Sequence, residues 1–161
     1  MTRDTIIGGA PRTELDAIEL LMQDHREVES LFREFEYLRQ KDQDTGQVVA
    51  LACAELRIHE ALKAELFCPA MLDAAGEAHI PDLLAGVEDE GQAIRDLITR
   101  VEQNDADPET RDAHFVRLAE HVERQFEDAE TRVFPRAKKL EGLDLVSVAA
   151  RMKGRKAELM S

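Results

Sequence analysis

Apolar residues recur at alternating steps of three and four along four long stretches, and this spacing limits the fold more than any other feature. Because one helical turn takes 3.6 residues, side chains spaced in this way share one face of an α-helix. In the first stretch they are Ile18, Leu21, Val28, Phe32 and Phe35. The spacing predicts amphipathic helices over about 14–39, 47–74, 81–103 and 108–140.

Residues that start or break helices mark the ends of these stretches. Thr13, with Asp16 three residues later, predicts a capping box at the start of the first helix. Pro81 and Pro108 are predicted to be the first residues of the third and fourth helices, where a missing N–H costs nothing. His79 is expected in the exposed link before the third helix. Short links between long amphipathic helices favour antiparallel neighbours, so the predicted fold is all-α, an up-down-up-down four-helix bundle.

The chain is expected to form one domain with a short segment at each end. Residues 1–12 contain two glycines and a proline and are predicted to be a flexible leader. Residues 13–141 are predicted to form the bundle. After Gly142, apolar residues at helical spacing predict that 142–161 forms a short C-terminal fifth helix packed across the bundle.

The charge of this acidic chain excludes several classes of partner. Its 21 Lys and Arg against 34 Asp and Glu give a formal net charge of −13. Nucleic acids and anionic membranes need a basic surface, so neither is expected as a partner. The sequence contains neither a membrane span nor the apolar region of a signal peptide, and a cytoplasmic location is expected. A monomer is favoured over a homodimer, with an unidentified protein as the expected partner.

Two histidines fall on inward stripes of neighbouring predicted helices. His25 fills the one gap in the apolar series of the first helix, and His59 lies on the apolar stripe of the second. Metal sites in helical bundles are built from such inward histidines together with carboxylates on facing helices. Two histidines alone do not make a site. The alternative is that they bond to each other, to water or to a buried carboxylate.

A lysine lies one turn after His59 on the same inward stripe. Burying the charged amine of Lys63 costs free energy unless it is paired. The sequence offers Gln125, Glu88 and Glu55 as partners. The alternative is that Lys63 extends along its four-carbon stem to the surface of the bundle.

Two segments of the chain share one layout. They are RIHEALKAELFCPAM at 57–71 and ERQFEDAETRVFPRA at 123–137, and each ends in an apolar-Pro step. His59 and Gln125 each stand ten residues before that proline. Together with LLMQDHREVESLF and VAARMKGRKAEL, these segments resemble the hemerythrin-like, HHE cation-binding domain family over about residues 17–159.

The resemblance implies where a di-iron or related metal site would lie. In that family the ligands are a His in the first helix, a His-x-x-x-Glu pair in the second, a His in the third and a second such pair in the fourth. His25 and His59 match two of these six positions. The other four positions carry Lys63 and Ala129 in place of the glutamates, and Gly91 and Gln125 in place of the histidines.

These replacements disfavour a di-iron centre, because two bridging carboxylates are lost and an ammonium is gained. No cofactor is expected, nor an enzyme, since no acid or oxyanion hole accompanies Lys63. The preferred hypothesis is a non-enzymatic hemerythrin-like domain whose di-iron and O₂ site is largely lost and which acts as an interaction or regulatory module.

The alternative is a metal-binding protein that senses or stores iron, O₂, nitric oxide or peroxide. Its site would be rebuilt one turn away and would hold a single Fe, Zn or Mn ion. The residues of that rebuilt site are Glu55, His59 and His121, with His25.

Overall fold

The computed structural model describes residues 15–76 and 79–161. These two stretches form five helices and no strand. They are α1, Ala17–Gln40; α2, composed of Gly46–Leu62, Lys63–Phe67 and Cys68–Ala74; α3, His79–Gln103; α4, composed of Pro108–Asp128, Ala129–Val133 and Phe134–Lys138; and α5, Leu145–Met160. The predicted all-α bundle with a short C-terminal helix is confirmed.

The first helix starts later than the sequence predicted. Asp16 is its N-cap: its Oδ1 accepts a hydrogen bond from the Glu19 N–H at 2.9 Å, and Glu19 Oε1 accepts one from the Asp16 N–H at 2.9 Å. This reciprocal pair satisfies two backbone donors that have no partner within the helix. The predicted cap at Thr13 was wrong, because the capping box lies three residues later. Thr13 itself and the predicted leader 1–12 lie outside the described residues.

The starts of α3 and α4 agree with the sequence to within two residues. α3 begins at His79, so the prediction that Pro81 is its first residue was wrong. Pro81 nevertheless lies in the first turn, whose N–H groups have no partner within a helix. His79 is exposed as predicted, although it belongs to the helix. Pro108 is the first residue of α4, and Asp107 caps it by accepting a bond from the Thr110 N–H.

One π-helical turn interrupts each of α2 and α4 and ends two residues before a proline. The Cys68 N–H donates to the Lys63 carbonyl and the Phe134 N–H donates to the Ala129 carbonyl, each five residues back. The proline that follows cannot donate to the helix, and its ring crowds the preceding turn, so a wider turn accommodates it. The sequence did not predict these turns. They begin at two of the positions where the resemblance implied metal ligands.

The apolar core is divided into two clusters along the bundle axis. One lies towards the α1–α2 and α3–α4 links and includes Phe32, Phe35 and Phe115. The other lies towards the opposite end and includes Phe67 and Met152. Met152 brings α5 onto the bundle beside α1 and α2, and burying such a side chain stabilises the fold by about 2 kcal/mol. In the described part of the chain, no helix is long and apolar enough to cross a membrane.

Candidate functional site

A layer of buried polar side chains crosses the bundle between the two apolar clusters. We call it the polar layer, and its members are Asp24, His25, His59, Glu60, Lys63 and Gln125. Taken as a whole residue, none of them is more than 7% exposed. The inward positions predicted for His25, His59 and Lys63 are therefore confirmed. Because a buried polar group costs free energy unless it is bonded, the partners of these side chains define what the layer can do.

His59 belongs to a chain of contacts that ends on α5. Its Nδ1 lies 2.9 Å from Asp24 Oδ2, and Lys156 Nζ lies 3.1 Å from Asp24 Oδ1. Burial raises the pKa of Asp24, but the bond from His59 and the charges of His59 and Lys156 outweigh it, so the net pKa is lowered. An ionised carboxylate only accepts, so His59 Nδ1 carries the hydrogen. His59 Nε2 is buried and has no hydrogen-bond partner among the described residues.

His25 has the same arrangement with a different carboxylate. Its Nδ1 lies 2.8 Å from Glu130 Oε2, while Arg26 donates to Glu130 Oε1 at 2.9 Å. Burial, helped by the charge of His59, lowers the pKa of His25 to about 3, so the imidazole is neutral at pH 7. The ring stacks on Phe126 with centroids 3.7 Å apart and lies 5.1 Å from the His59 ring. Its Nε2 is also buried, and no group in the described part of the chain bonds to it.

Each histidine thus gives Nδ1–H to a carboxylate and keeps Nε2 for the interior. Histidines that bind metals are held in this way, because the outer carboxylate fixes the tautomer and the ring orientation. Sequence reasoning did not identify Asp24 and Glu130 in this role. Asp24 directly precedes His25 but bonds to His59, so adjacency in the sequence would have assigned it to the wrong ring.

We expect the stability of the protein to fall as the pH drops below about 6.5, with His25 contributing to the fall. The pKa of His25 is lowered in the folded state, so below 6.5 the unfolded chain binds a proton that the folded chain does not, and the free energy of unfolding decreases. The slope approaches about 1.4 kcal/mol per pH unit for this one group. Urea unfolding at pH 7, 6 and 5 measures it.

The matched variants are His25→Leu and Gln103→Leu, the second at an exposed position without a titratable group. His25→Leu should flatten the pH profile between pH 6.5 and 5, whereas Gln103→Leu should keep the slope of the natural protein. Equal slopes in the natural protein and in His25→Leu would contradict a neutral buried His25.

The partner of Lys63 is Glu60, on its own helix. Lys63 Nζ lies 3.1 Å from Glu60 Oε2, and the two side chains are 8% and 2% exposed. The contact is an ion pair whose angles are poor for a hydrogen bond, since Glu60 Oε2 has no well-aligned donor. Burial raises the pKa of Glu60, but the positive charge of Lys63, together with smaller contributions from His59 and Arg95, outweighs it and holds the pKa below its usual value. Glu60 is therefore ionised in the core.

The partners proposed from the sequence for Lys63 were wrong. Glu88 pairs with Arg95 at 3.0 Å instead. Glu55 lies near Glu27 and Lys156. Among the described residues Gln125 has no hydrogen-bond partner and so does not bond to Lys63, although the two side chains line one cavity. The alternative that Lys63 reaches the surface was also wrong, because it is buried.

Gly91 explains how Glu60 is accommodated in the core. A Cβ placed on Gly91 would lie 2.9 Å from Glu60 Oε1 and 3.3 Å from Arg95 Nη1. The first distance is shorter than carbon and oxygen tolerate without moving, so the glycine leaves the space that the carboxylate fills. At this position the resemblance implied a histidine ligand, and Glu60 fills the space beside it.

Gln125 and Ala129 lie on α4 at the floor of a cavity of about 450 Å³. The floor also includes Lys63, and the buried walls include Phe67 and Phe134. Neither Nε2 nor Oε1 of Gln125 has a hydrogen-bond partner in the described part of the protein. The mouth lies between α3 and α4 and is lined by charged side chains: Asp82, Glu90, Arg124, Asp128 and Arg132.

The remaining candidates of the predicted rebuilt site, Glu55 and His121, lie on α2 and α4. Burial and the nearby Glu27 carboxylate raise the pKa of Glu55. His121 is half-buried, and its Nδ1 has no partner among the described residues. Across residues 15–76 and 79–161, no three His, Cys, Asp or Glu side chains form a group that could hold a metal ion.

Comparison with known protein families gave a match. The model of one protein family, described as hemerythrin HHE cation binding domain, matches residues 16–137. The matched region begins at the N-cap of α1 and ends one residue before the end of α4. It contains every member of the polar layer but not Lys156, which contacts Asp24 from α5. Neither the curated proteins nor the solved structures gave a match.

Proposed function

Because this chain belongs to the hemerythrin HHE cation-binding domain family, we propose that it is a member in which a buried ion pair has replaced the metal centre. Members of this family bind metal ions. In this chain the Lys63–Glu60 pair lies in the polar layer, next to the two histidines. The protein is then a non-enzymatic bundle that acts as an interaction or regulatory module.

The side chains that could bind metal in the polar layer support this proposal, because they do not fit a dinuclear centre. A pair of metal ions needs carboxylates between them to offset their charge, and the carboxylate of Glu60 is already engaged by Lys63. The ammonium of Lys63 would repel a nearby cation. Gly91 and Ala129 offer no donor atom in their side chains. The buried Lys63–Glu60 pair is the single observation on which the proposal depends.

One observation favours a second candidate, a mononuclear site for Fe, Zn or Mn. His25 and His59 present two buried Nε2 atoms with no partner in the described part of the chain, and Gln125 adds an unpartnered amide oxygen. Two imidazoles and one carbonyl-type oxygen can bind a single divalent ion, but more weakly than three histidines or a carboxylate-containing set. Such a protein would be a metal-binding sensor or store.

Metal analysis and thermal unfolding distinguish the two candidates. After expression in iron-supplemented medium, and again after addition of zinc or manganese, we expect well under one ion per chain. Because only a metal bound to the folded state stabilises it, a chelator is expected to leave Tm unchanged. About one ion per chain, together with a Tm that falls on chelation, would establish the second candidate instead. His59→Ala, which removes one of the two free Nε2 atoms, is the control for any metal found.

A further inference from the structure

The cavity between α3 and α4 connects the polar layer to the surface. We propose that it binds a small neutral amphiphile whose amide-type or hydroxyl-type head bonds to Gln125 and Lys63. This inference rests on the proposed function, because a metal centre at the polar layer would take up the same floor. The cavity volume of about 450 Å³ is within the range of small-molecule sites in proteins.

Gln125 is the strongest indication of a ligand. It is 7% exposed, and both its amide nitrogen and its amide oxygen lack a partner among the described residues. A buried amide without partners is destabilising, so a group that both donates and accepts would relieve that cost on binding. Amide and hydroxyl heads have this double character. The ammonium of Lys63, poorly aligned with Glu60, supplies a further donor at the floor.

The charges around the cavity indicate a neutral head. At the floor, Lys63 is already neutralised by Glu60, so an ionised head would bring an uncompensated charge into a buried site. The mouth favours neither sign of charge, because the carboxylates of Asp82, Glu90 and Asp128 lie there together with Arg124 and Arg132, and Arg132 pairs with Asp128 at 2.9 Å. A cationic head would meet the ammonium of Lys63 at the floor. Both signs of charge are therefore disfavoured relative to a neutral hydrogen-bonding group.

The side chains that line the walls of the cavity favour a ligand with an apolar body. The buried rings of Phe67 and Phe134 and the side chain of Val133 lie next to the floor, and Leu83 and Val87 are half-buried towards the mouth. An apolar chain placed against these side chains would remove their surface and its own from water. A body of about six carbon atoms is a reasonable first probe for a cavity of this size.

Three probes with the same chain length test the head group: hexanamide, hexanoate and hexylammonium. At pH 7, titration followed by isothermal calorimetry or by ¹H–¹⁵N NMR should give a Kd of about 1 mM or tighter for hexanamide. The two ionised probes are expected to bind at least about tenfold more weakly. Hexanoate or hexylammonium binding as tightly as hexanamide would overturn the proposal, and so would the absence of hexanamide binding up to about 10 mM.

Two variants test the location. Gln125→Leu should weaken hexanamide binding at least about tenfold while it leaves Tm unchanged or raises it, because it removes an unpartnered buried amide. If Gln125 had only a structural role, its substitution would lower both the Tm of the protein and its affinity for hexanamide. Ala129→Leu should also abolish binding by filling the floor. Unchanged affinity in either variant would place any bound ligand elsewhere and overturn the inference.

The matched controls make the same substitutions at exposed positions of α3. They are Gln103→Leu and Ala85→Leu, which should bind hexanamide like the natural protein. Metal content measured on the same samples separates the two proposals. Metal-free protein that fails to bind hexanamide overturns the ligand inference alone, whereas protein carrying stoichiometric metal overturns the proposed function.

Discussion

Replacing Lys63 with methionine is expected to lower the free energy of unfolding by about 3 kcal/mol at pH 7. The substitution leaves the carboxylate of Glu60, which is 2% exposed, without its positive partner. The loss has an upper bound, because Glu60 can take up a proton instead of remaining charged. Protonating a carboxyl of ordinary pKa near 4.3 at pH 7 costs about 1.4 kcal/mol per pH unit, or about 3.7 kcal/mol.

Because Glu60 can take up a proton in Lys63→Met, the stability of this variant should depend on pH differently from that of the natural protein. In the natural protein the pKa of Glu60 is lowered, so its contribution is present above the unfolded pKa and is lost as the pH falls through the folded value. In Lys63→Met the folded pKa of Glu60 should lie above the unfolded value, so the variant gains stability as the pH falls. The difference between the two proteins should therefore narrow from pH 7 to pH 5, as measured by urea unfolding.

A double variant tests whether the loss comes from the broken pair. Lys63→Met combined with Glu60→Met replaces both charges by apolar groups of similar length, and its stability should be near that of the natural protein or above it. Arg132→Met, which breaks an exposed pair with Asp128, should cost less than about 1 kcal/mol. If Lys63→Met were as mild as Arg132→Met, the pair would not be buried in solution.

Local sequence signals predicted most of the fold. The three- and four-residue spacing predicted all five helices, and Asp107 with Pro108 predicted the start of α4. Two predicted helix starts were wrong. Asp16 with Glu19 forms the capping box of α1 in place of Thr13 with Asp16, and α3 begins at His79, two residues before Pro81. The π-helical turns were missed because hydrophobic spacing does not reveal which carbonyl an N–H donates to.

The site was less predictable, because pairing between charged side chains depends on the direction and reach of each side chain. The stripe correctly indicated that Lys63 and Gln125 face inward. It gave no sign that Glu60, three residues before Lys63, would turn into the core, since i,i+3 ion pairs are usually on the surface. The burial of Glu60 is what makes Lys63→Met costly, because the substitution leaves a buried carboxylate without its cation.

Placing metal ligands at the four positions where the family resemblance implies them is expected to let the protein bind about two iron ions per chain. The changes are Lys63→Glu, Gly91→His, Gln125→His and Ala129→Glu. His25 and His59 already present their Nε2 atoms to the interior, held by Glu130 and Asp24. The outer carboxylates that orient metal-binding histidines are therefore in place before any substitution is made.

The order of the changes should matter, because Glu60 occupies the space that a side chain at residue 91 needs. Gly91→His alone places a Cβ 2.9 Å from Glu60 Oε1 and should separate Glu60 from Lys63, so we expect a destabilised protein that binds no iron. In the presence of Lys63→Glu, Glu60 has lost its counter-charge and is repelled by a second carboxylate. The two substitutions should therefore be strongly non-additive in the free energy of unfolding.

Iron analysis and thermal unfolding of the fourfold variant measure the outcome. Iron bound to the folded state stabilises it by mass action, so chelation should lower Tm by several degrees in the fourfold variant and leave the natural protein unchanged. Adding His59→Ala to the fourfold variant is the control, and it should lose most of the iron because it removes a ligand whose orientation Asp24 already fixes. A folded fourfold variant that takes up no iron would mean that the polar layer no longer has the geometry of a metal site. The obstacle to a dinuclear centre would then extend beyond the four substituted positions to the packing of the helices around His25 and His59.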